Sequence, residues 1–506
     1  MIGFDVLVIG AGSAGSVVAA RLSEDPSLSV GLVEAGDWPS DPDIASPQQW
    51  PFLQGRPYDW AYRTVPQAGT AGRVHDWPRG RIVGGSSCLH AMAHIRGHPD
   101  DFVPWAEAGG PGWSYQALLP AFRRSERFSG GALAVHGDAG PLDVLLPDEQ
   151  VHPLVRAYMA AGLVIGAPWL GDHNAGPLAG VAPNQLTIRD GRRLSVADAY
   201  LAPVLGRPNL TVLTGVLVHD LVLDRGQARG IRVTRGGVDQ ILAADRIVLC
   251  GGTVASPLLL MRSGIGDPVV LCQAGITCRH DLPQVGRNLH DHLLAAGNVY
   301  RAGRPVPPSR LQHSESLMYL HSDDPSRADG SPDVALACVV LPVVTEAFAR
   351  PAVGEAYTIM CGVTHPTSRG SIRPGGPSVT DMPLIDPAYL STDADRRCFR
   401  AALRLAREVG RAGPLGDWND GEILPGAGVG ADADVDAFLA RAAMTHHHPV
   451  GTCGLGDVVD GSLKVQGLDG LHVVDASVIP AITTGPVNAA VVAIAEHWAA
   501  GATPAP

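Results

Sequence analysis

The stretch DVLVIGAGSAG, residues 5–15, decides the fold of this chain. It joins an apolar run to a glycine-rich turn and the start of an apolar helix. Gly10, Gly12 and Gly15 have the spacing of a dinucleotide-binding turn, in which backbone N–H groups approach a pyrophosphate at a helix N-terminus. A second apolar run ends at Glu34, where a carboxylate can accept hydrogen bonds from a ribose. The segment predicts a βαβ unit, a parallel sheet and a nucleotide cofactor, for which FAD and NAD remain open.

The composition narrows the classes of function. With 506 residues, 45% of them hydrophobic, the chain is too long for one core and suits two domains. A net charge of -12 argues against nucleic acid as a partner, because phosphate binding needs clustered positive charge. The 8 cysteines include no C-x-x-C pair, which argues against a zinc site or a disulfide framework. Lys464, the only lysine, lies outside any P-loop pattern, so neither a P-loop nor a Schiff-base enzyme is expected.

The sequence shows no pattern of an export signal or a membrane span. The first apolar run starts at residue 4, which leaves no basic segment ahead of a cleavable apolar stretch. No run of about 18 apolar residues occurs that would cross a bilayer. We therefore expect a cytoplasmic protein without a membrane partner.

Further elements predict a second layer of structure. An antiparallel layer that binds the substrate is expected within residues 301–393, and a helix is expected at residues 395–411. The predicted FAD-binding domain is discontinuous and covers residues 1–145, 205–300 and 440–506, and the substrate-binding domain covers residues 146–204 and 301–439. Strands of the first domain are predicted at residues 29–34, 210–213, 217–223, 230–233, 246–250 and 471–475, and its last helix at residues 486–500.

Four motifs carry a resemblance to a known family. They are GRIVGGSSCLH at residues 80–90, SVADAYL at residues 195–201, GTVASPLLLMRSGIG at residues 252–266 and GRNLHDH at residues 286–292. In sequence and order they resemble the signatures of the glucose-methanol-choline (GMC) oxidoreductase family over nearly the whole chain. The resemblance implies an α/β fold, with a Rossmann-like FAD-binding domain on a parallel sheet and an α+β substrate-binding domain on an antiparallel sheet. The implied cofactor is FAD.

The resemblance also implies which residues bind the cofactor. Leu89 stands where some members carry the histidine that tethers the flavin, so we expect FAD to be non-covalent. His90 stands where many members carry asparagine. The implied cofactor-binding residues are Gly10, Gly12, Ser13, Ala14, Gly15, Glu34, Ala35, Arg81, Gly84, Gly85, Ser86, Ser87, Leu89, His90, Ala91, Val218, Gly252, Asp475, Ala476, Pro486 and Val487.

The stretch THHHPVGTC, residues 445–453, is the predicted catalytic segment. A run of histidines is also typical of a metal-binding segment, but no acidic or cysteine partner lies nearby, so we expect no bound metal. In an extended chain His446 and His448 share one face and His447 points away, as a structural residue. By the resemblance, His448 removes the alcohol proton while hydride moves to flavin N5, and His446 orients the substrate. The alternative is that these histidines only form hydrogen bonds within a polar core and have no catalytic role.

Pro486 is the third predicted catalytic residue, and it departs from the family pattern. Most members carry histidine or asparagine there, and proline offers no N–H. Proline also suits a first helical turn, which would direct a positive helix end toward the flavin N1–C2 carbonyl. Members of the family that act on pyridoxine share this proline, so the resemblance implies oxidation of pyridoxine to pyridoxal, with O2 reduced to H2O2.

Other functions stay open at this point. One is a GMC-type dehydrogenase of choline-like or aryl alcohols that uses an acceptor other than oxygen. A second is a hydroxynitrile lyase that retains a non-redox flavin, and a third is a nucleotide-binding protein without catalysis. The oligomeric state is open as well, with a monomer as the simplest expectation.

Overall fold

Two β-sheets form the framework of the protein. The computed structural model describes residues 2–131, 133–295, 297–322 and 330–502. Residues 323–329 and 503–506, which fall within the predicted domain segments, lie outside the described residues. The α-helices of the described part are Ser13–Leu22, Val103–Gly109, Tyr115–Ser125, Pro153–Val164, Gly252–Arg262, Pro268–Gln273, Asp393–Arg411, Asp432–Ala442 and Asn488–Ala502.

The first sheet is built around the N-terminal strand. Its strand order is Leu210–Leu213, Val30–Val33, Ile2–Ile9, Val238–Leu249, Gln227–Arg235 and Val216–Asp224, and Leu471–Val473 also pairs with Val238–Leu249. The strands next to Ile2–Ile9 run parallel to it, as the βαβ pattern predicts. Helix Ser13–Leu22 packs against helix Asn488–Ala502, and both are buried almost all round. The predicted parallel sheet is confirmed.

One strand of this sheet is much longer than predicted. The pattern indicated a strand at residues 246–250, but the strand is Val238–Leu249. Its first half forms an antiparallel hairpin with Gln227–Arg235, and its second half lies parallel to Ile2–Ile9 and Leu471–Val473. The hairpin half is largely exposed and is interrupted by Asp239 and Gln240, so it lacks the continuous apolar run that marks a buried parallel strand.

The second sheet is antiparallel and has two distinct faces. Helices Pro153–Val164 and Asp393–Arg411 cover one face, which carries Leu336 and Cys338. Ala337 and Val339 alternate with them and belong to a separate apolar cluster on the other face. The strand order is Asn419–Leu424, Val299–Ala302, Ala356–Val363, Val334–Val339, Ser316–Leu320 and Gly180–Pro183, with Leu293–Ala295 between Ala356–Val363 and Ala443–Thr445.

Two segments predicted for the FAD-binding domain contribute strands to the second sheet. Strands Leu293–Ala295 and Ala443–Thr445 lie within the segments predicted for the FAD-binding domain, but they pair into the second sheet. The two segments therefore cross from one sheet to the other, and the residues that follow Thr445 lie between the sheets. Short two-stranded ribbons complete the fold: Tyr62–Arg63 with Asp76–Trp77, Glu126–Phe128 with Leu142–Val144, Ile188–Arg189 with Arg192–Arg193, Ile265–Gly266 with His280–Asp281, and Ser371–Arg373 with Leu384–Asp386.

The last helix also begins later than predicted. It spans Asn488–Ala502, so Pro486 lies two residues before it and not in its first turn. Val487 accepts the first helical hydrogen bond, from the N–H of Val491. Among the described residues, no helix has the length and apolar character of a membrane span.

Candidate active site

A cavity of about 840 Å³ lies between the two sheets. One side is formed by the glycine-rich turn after Ile2–Ile9, and the other by the second sheet and the histidine run. Ligand cavities in proteins typically enclose about 300 to 1,000 Å³. The predicted cofactor and catalytic residues therefore meet around a space of suitable size.

Three helices begin at this cavity. Ser13, Gly252 and Asn488 are the first residues of their helices, and all three line the cavity. The hydroxyl of Ser13 donates to Oδ1 of Asn488 at 2.7 Å, which joins two of the helix ends. Unpaired N–H groups and the positive end of the helix dipole favour an anion at such a place. The pyrophosphate of a dinucleotide fits this donor set.

Glu34 is a buried carboxylate on the cavity wall. Its two oxygens accept from the N–H groups of Ala11 and Gly36, both at 2.9 Å. Burial raises the pKa of Glu34, and these two hydrogen bonds oppose the rise. Because a carboxylate oxygen has a second lone pair, the side chain retains capacity for ribose hydroxyls.

Asp475 connects two of the predicted cofactor segments. One oxygen accepts from the N–H of Gly252 at 2.8 Å and from the hydroxyl of Ser256 at 2.6 Å. The other oxygen accepts from the N–H of Ser477 at 2.8 Å. Burial raises the pKa of Asp475. The side chain thus fixes the start of helix Gly252–Arg262 against the strand that ends at Val473.

Close backbone contact explains the glycines of the two turns. A Cβ on Gly85, where φ is +53°, would lie 2.7 Å from Cα of Gly12. A Cβ on Gly15 would lie 1.8 Å from the carbonyl oxygen of Gly10. The absence of side chains lets the two turns touch and leaves bare backbone facing the cavity. Such a cradle fits a flat ring and a pyrophosphate.

Most of the predicted cofactor residues line the cavity, but three do not. Gly15, Gly84 and Ser87 lie behind the wall. Gly15 allows close packing inside the turn, and the hydroxyl of Ser87 donates to the oxygen of Gly84 at 2.6 Å. These three positions shape the turns instead of facing the cavity. The lining residues are Gly10, Gly12, Ser13, Ala14, Glu34, Ala35, Arg81, Gly85, Ser86, Leu89, His90, Ala91, Val218, Gly252, Asp475, Ala476, Pro486 and Val487.

The histidine run is not an extended strand. The strand ends at Thr445, and His447 has a φ of +65°, so the chain turns within the run. The rings of His446 and His448 nevertheless lie together, with their centroids 4.4 Å apart. His447 was predicted to point away, but it lines the same cavity, 3.4 Å from the side-chain nitrogen of Gln54. Side-chain alternation is thus the wrong reason for the pairing of His446 with His448.

His292 is a partner of His448 that the sequence interpretation missed. The Nδ1 atoms of the two rings lie 3.0 Å apart, so one of them carries the shared hydrogen. With Nδ1 of His448 occupied in this way, Nε2 is the ring nitrogen left for a ligand in the cavity. The GRNLHDH motif contains His292, but its spacing gave no sign of this contact.

Burial keeps these imidazoles neutral. It lowers the pKa of His446 to about 4 and takes the pKa values of His292 and His448 well below the ordinary 6.5. Neighbouring histidines and the guanidinium of Arg79 depress the pKa of His448 further. A neutral imidazole has a free lone pair, which a general base requires.

Asp291 is a second residue that the sequence interpretation missed. One oxygen accepts from the backbone N–H of His448 at 2.8 Å, and the other accepts from the hydroxyls of Tyr389 and Thr445, both at 2.5 Å. The carboxyl is buried, and burial raises its pKa. Asp291 therefore holds the backbone of the catalytic segment from behind.

The second sheet gives the cavity an apolar wall. Met360, Ala337 and Leu317 stand side by side on adjacent strands, as their pairing shows. Leu294 and Met444 continue this surface toward the histidines. A flat surface of this kind suits an aromatic ring better than a sugar, because it offers few polar partners.

Known proteins provide an independent comparison. The N-terminal and C-terminal models of the GMC oxidoreductase family match residues 4–294 and 366–495. The chain is 51% identical to pyridoxine 4-oxidase of Microbacterium luteolum, covering 98% of this chain and 99% of that protein. It is 36% identical to mitochondrial choline dehydrogenase of Mus musculus, covering 98% and 89%. The crystal structure of pyridoxine 4-oxidase from Mesorbium loti matches with a TM-score of 0.96 at 52% identity, covering 98% and 99%.

These matches confirm the resemblance and the fold predicted from it. They extend along the chain and include both sheets. GMC oxidoreductases bind FAD, and the glycine turns, the helix ends and Glu34 form a site that fits this cofactor. The chain belongs to the GMC oxidoreductase family.

Proposed function

We propose that this protein oxidises the 4'-hydroxymethyl group of pyridoxine to the aldehyde pyridoxal, using FAD, and that O2 is reduced to H2O2. The observation that carries this proposal is the 51% identity, over nearly the full length of both chains, with a protein named pyridoxine 4-oxidase. The apolar wall, which suits a pyridine ring, and the neutral histidines beside it support the same substrate.

Proton removal is the task of His448. Its Nε2 accepts the hydroxyl proton of the alcohol, while Nδ1 stays paired with His292 and fixes the orientation of the ring. FAD, when bound, would accept the hydride that leaves the carbon bearing this hydroxyl group. Removing the proton as the hydride leaves avoids a protonated carbonyl product. His446, whose ring lies beside that of His448, orients the hydroxyl.

Pro486 changes how the site handles the proton. Its nitrogen carries no hydrogen, so it can neither donate to the alcohol oxygen nor store a proton. The histidine run lines the same cavity as Pro486, and its neutral imidazoles can take up the proton. The work therefore falls on His448 and its partner His292.

FAD is held without a covalent bond in this proposal. Leu89 has no nucleophilic atom. Burial raises the pKa of the neighbouring Cys88 thiol to about 12, which suppresses the thiolate. The Nδ1 atom of His90 already accepts from the N–H of Met92 at 3.1 Å. We expect acid precipitation to release all of the flavin into the supernatant, as measured by its absorbance, and flavin that stays with the pellet would contradict this.

The reaction itself can be tested by a substrate screen. The purified holoenzyme is mixed anaerobically with pyridoxine, choline, benzyl alcohol or a sugar alcohol, and the loss of flavin absorbance is followed. Pyridoxine is expected to reduce the flavin fastest, and in air each pyridoxal formed should accompany one O2 consumed and one H2O2 produced. Faster reduction by choline would reject the substrate. Reduction without oxygen consumption would instead identify a dehydrogenase, and no reduction by any alcohol would leave a non-redox flavoprotein.

The pH dependence follows from the state of His448. Burial lowers its pKa, so the neutral form is complete at and above the ordinary value of 6.5 and is lost only as the pH falls through the lowered value. Anaerobic flavin reduction is therefore expected to be independent of pH from about 6.5 upward. Stopped-flow measurement across this range checks the prediction, and a rate that rises steadily above 6.5 would show that His448 is protonated there.

A further inference from the structure

Three imidazoles from two distant segments converge at the cavity. One ring nitrogen from each of His292, His446 and His448 lies within 4.8 Å of the other two. His292 comes from the loop before strand Leu293–Ala295, and the other two follow strand Ala443–Thr445, which pairs with it. The pairing of these strands brings the rings together. The histidine run alone does not supply this cluster, because His447 is not part of it.

The distances are close to those of a metal site. Divalent zinc binds imidazole nitrogen at about 2.0 to 2.1 Å in tetrahedral geometry, which places two ligand nitrogens roughly 3.4 Å apart. The Nδ1 atoms of His292 and His448 are 3.0 Å apart, and the third nitrogen lies within 4.8 Å. A shift of His446 by up to about 1.4 Å therefore brings three nitrogens into range, and the cavity that His446 and His448 line leaves space for water as a fourth ligand.

The electrostatic conditions also suit a cation. Metal binding requires a free lone pair on each ligand nitrogen, so the hydrogen shared by the Nδ1 atoms of His292 and His448 must move to Nε2 of its ring, a change of tautomer that releases no net proton. The buried carboxyl of Asp291 contacts the backbone N–H of His448 and supplies negative charge beside the cluster. Arg79 is the opposing positive charge, since its guanidinium acts on the same ring.

We propose that His292, His446 and His448 form an inhibitory site for a divalent transition metal such as Zn²⁺, Ni²⁺ or Co²⁺. Bound at Nδ1 of His448, the metal leaves the ring hydrogen on Nε2, so the lone pair that would accept the alcohol proton is lost, and His446 is occupied as a ligand. Metal and alcohol therefore exclude one another, while the cofactor cradle at the glycine turns stays intact. Imidazole ligands favour these borderline metals over Mg²⁺ or Ca²⁺, which prefer oxygen.

The test measures metal binding directly and needs no substrate. The holoenzyme is dialysed against a chelator and titrated with Co²⁺, whose d–d bands lie at longer wavelength than the absorption of oxidised flavin. Zn²⁺ is then added to displace the Co²⁺. We expect one Co²⁺ per chain at this site, and removal of one ligand in His292→Ala or His446→Ala should weaken binding by about tenfold or more. His447→Ala is the matched control, because it removes a histidine of the same run that is not a ligand.

Each outcome is decisive. Equal Co²⁺ affinity in all three variants, or no binding up to about 1 mM metal, would overturn the proposal. If His292→Ala fails to fold with FAD, the comparison of His446→Ala with His447→Ala decides alone. In turnover assays Zn²⁺ should raise KM for the alcohol without changing kcat, and a fall in kcat at unchanged KM would reject the mutual exclusion. A protein that binds Co²⁺ as expected but does not oxidise pyridoxine would reject the proposed substrate and leave the metal site standing.

Discussion

Replacing His448 with alanine is expected to slow anaerobic flavin reduction by about 10²- to 10⁴-fold, the usual contribution of a general base. The neutral ring lines the cavity, its Nδ1 is engaged by His292, and Pro486 offers no alternative proton acceptor. Cofactor binding should survive, because the hydrogen bonds that hold Glu34 and Asp475 in place do not involve this side chain. Stopped-flow reduction by pyridoxine gives the rate, and the flavin absorbance of the purified variant gives the FAD content.

The same run of sequence provides the control for this experiment. His447→Ala removes a ring that lines the cavity and lies 3.4 Å from Gln54, but it leaves the His292–His448 pair in place. It should slow reduction far less than His448→Ala. Comparable losses of reduction rate in the two variants would show that the histidine run has only a structural role. An unchanged reduction rate in His448→Ala would mean that another group removes the alcohol proton.

The fold was predictable because its signals are local. The βαβ unit, its glycines and Glu34 fall within the first 34 residues. The glycines permit the tight turn and the close approach of a pyrophosphate, and Glu34 can accept hydrogen bonds from a ribose. The long strand Val238–Leu249 shows the limit of such signals. Its largely exposed half is stabilised by pairing with Gln227–Arg235, and no continuous apolar run within that half reveals the partner.

The partners of the catalytic segment could not be predicted in this way. His292 and His448 are 156 positions apart, and their contact depends on the pairing of Leu293–Ala295 with Ala443–Thr445. Within the histidine run, sequence alternation led to the right pair for the wrong reason, since the φ of His447 is positive. A sequence pattern gives residue types and spacing, but the fold alone decides which distant side chains share a hydrogen.

Loss of Asp291 is expected to misplace the catalytic segment. Its carboxylate accepts from the N–H of His448 and from the hydroxyls of Tyr389 and Thr445, and it does not line the cavity. Asp291→Ala leaves these three buried donors without their acceptor. A displacement of about 1 Å at a reacting group can cost roughly 10²-fold in rate, so we expect flavin reduction to fall by about that factor. Asp291→Asn, which keeps one acceptor oxygen, should recover part of it.

A matched buried carboxylate separates positioning from stability. Asp395 accepts from the N–H groups of Thr367 and Ser368 at 2.7 and 2.9 Å and lies outside the lining of the cavity. Both Asp291→Ala and Asp395→Ala should lower the melting temperature, because each leaves buried donors unpaired. Only Asp291→Ala should lower the reduction rate at saturating pyridoxine. In this variant the apolar wall of the cavity is unchanged, but the base His448 is displaced. Equal rates in the two variants would mean that Asp291 stabilises the fold without positioning His448.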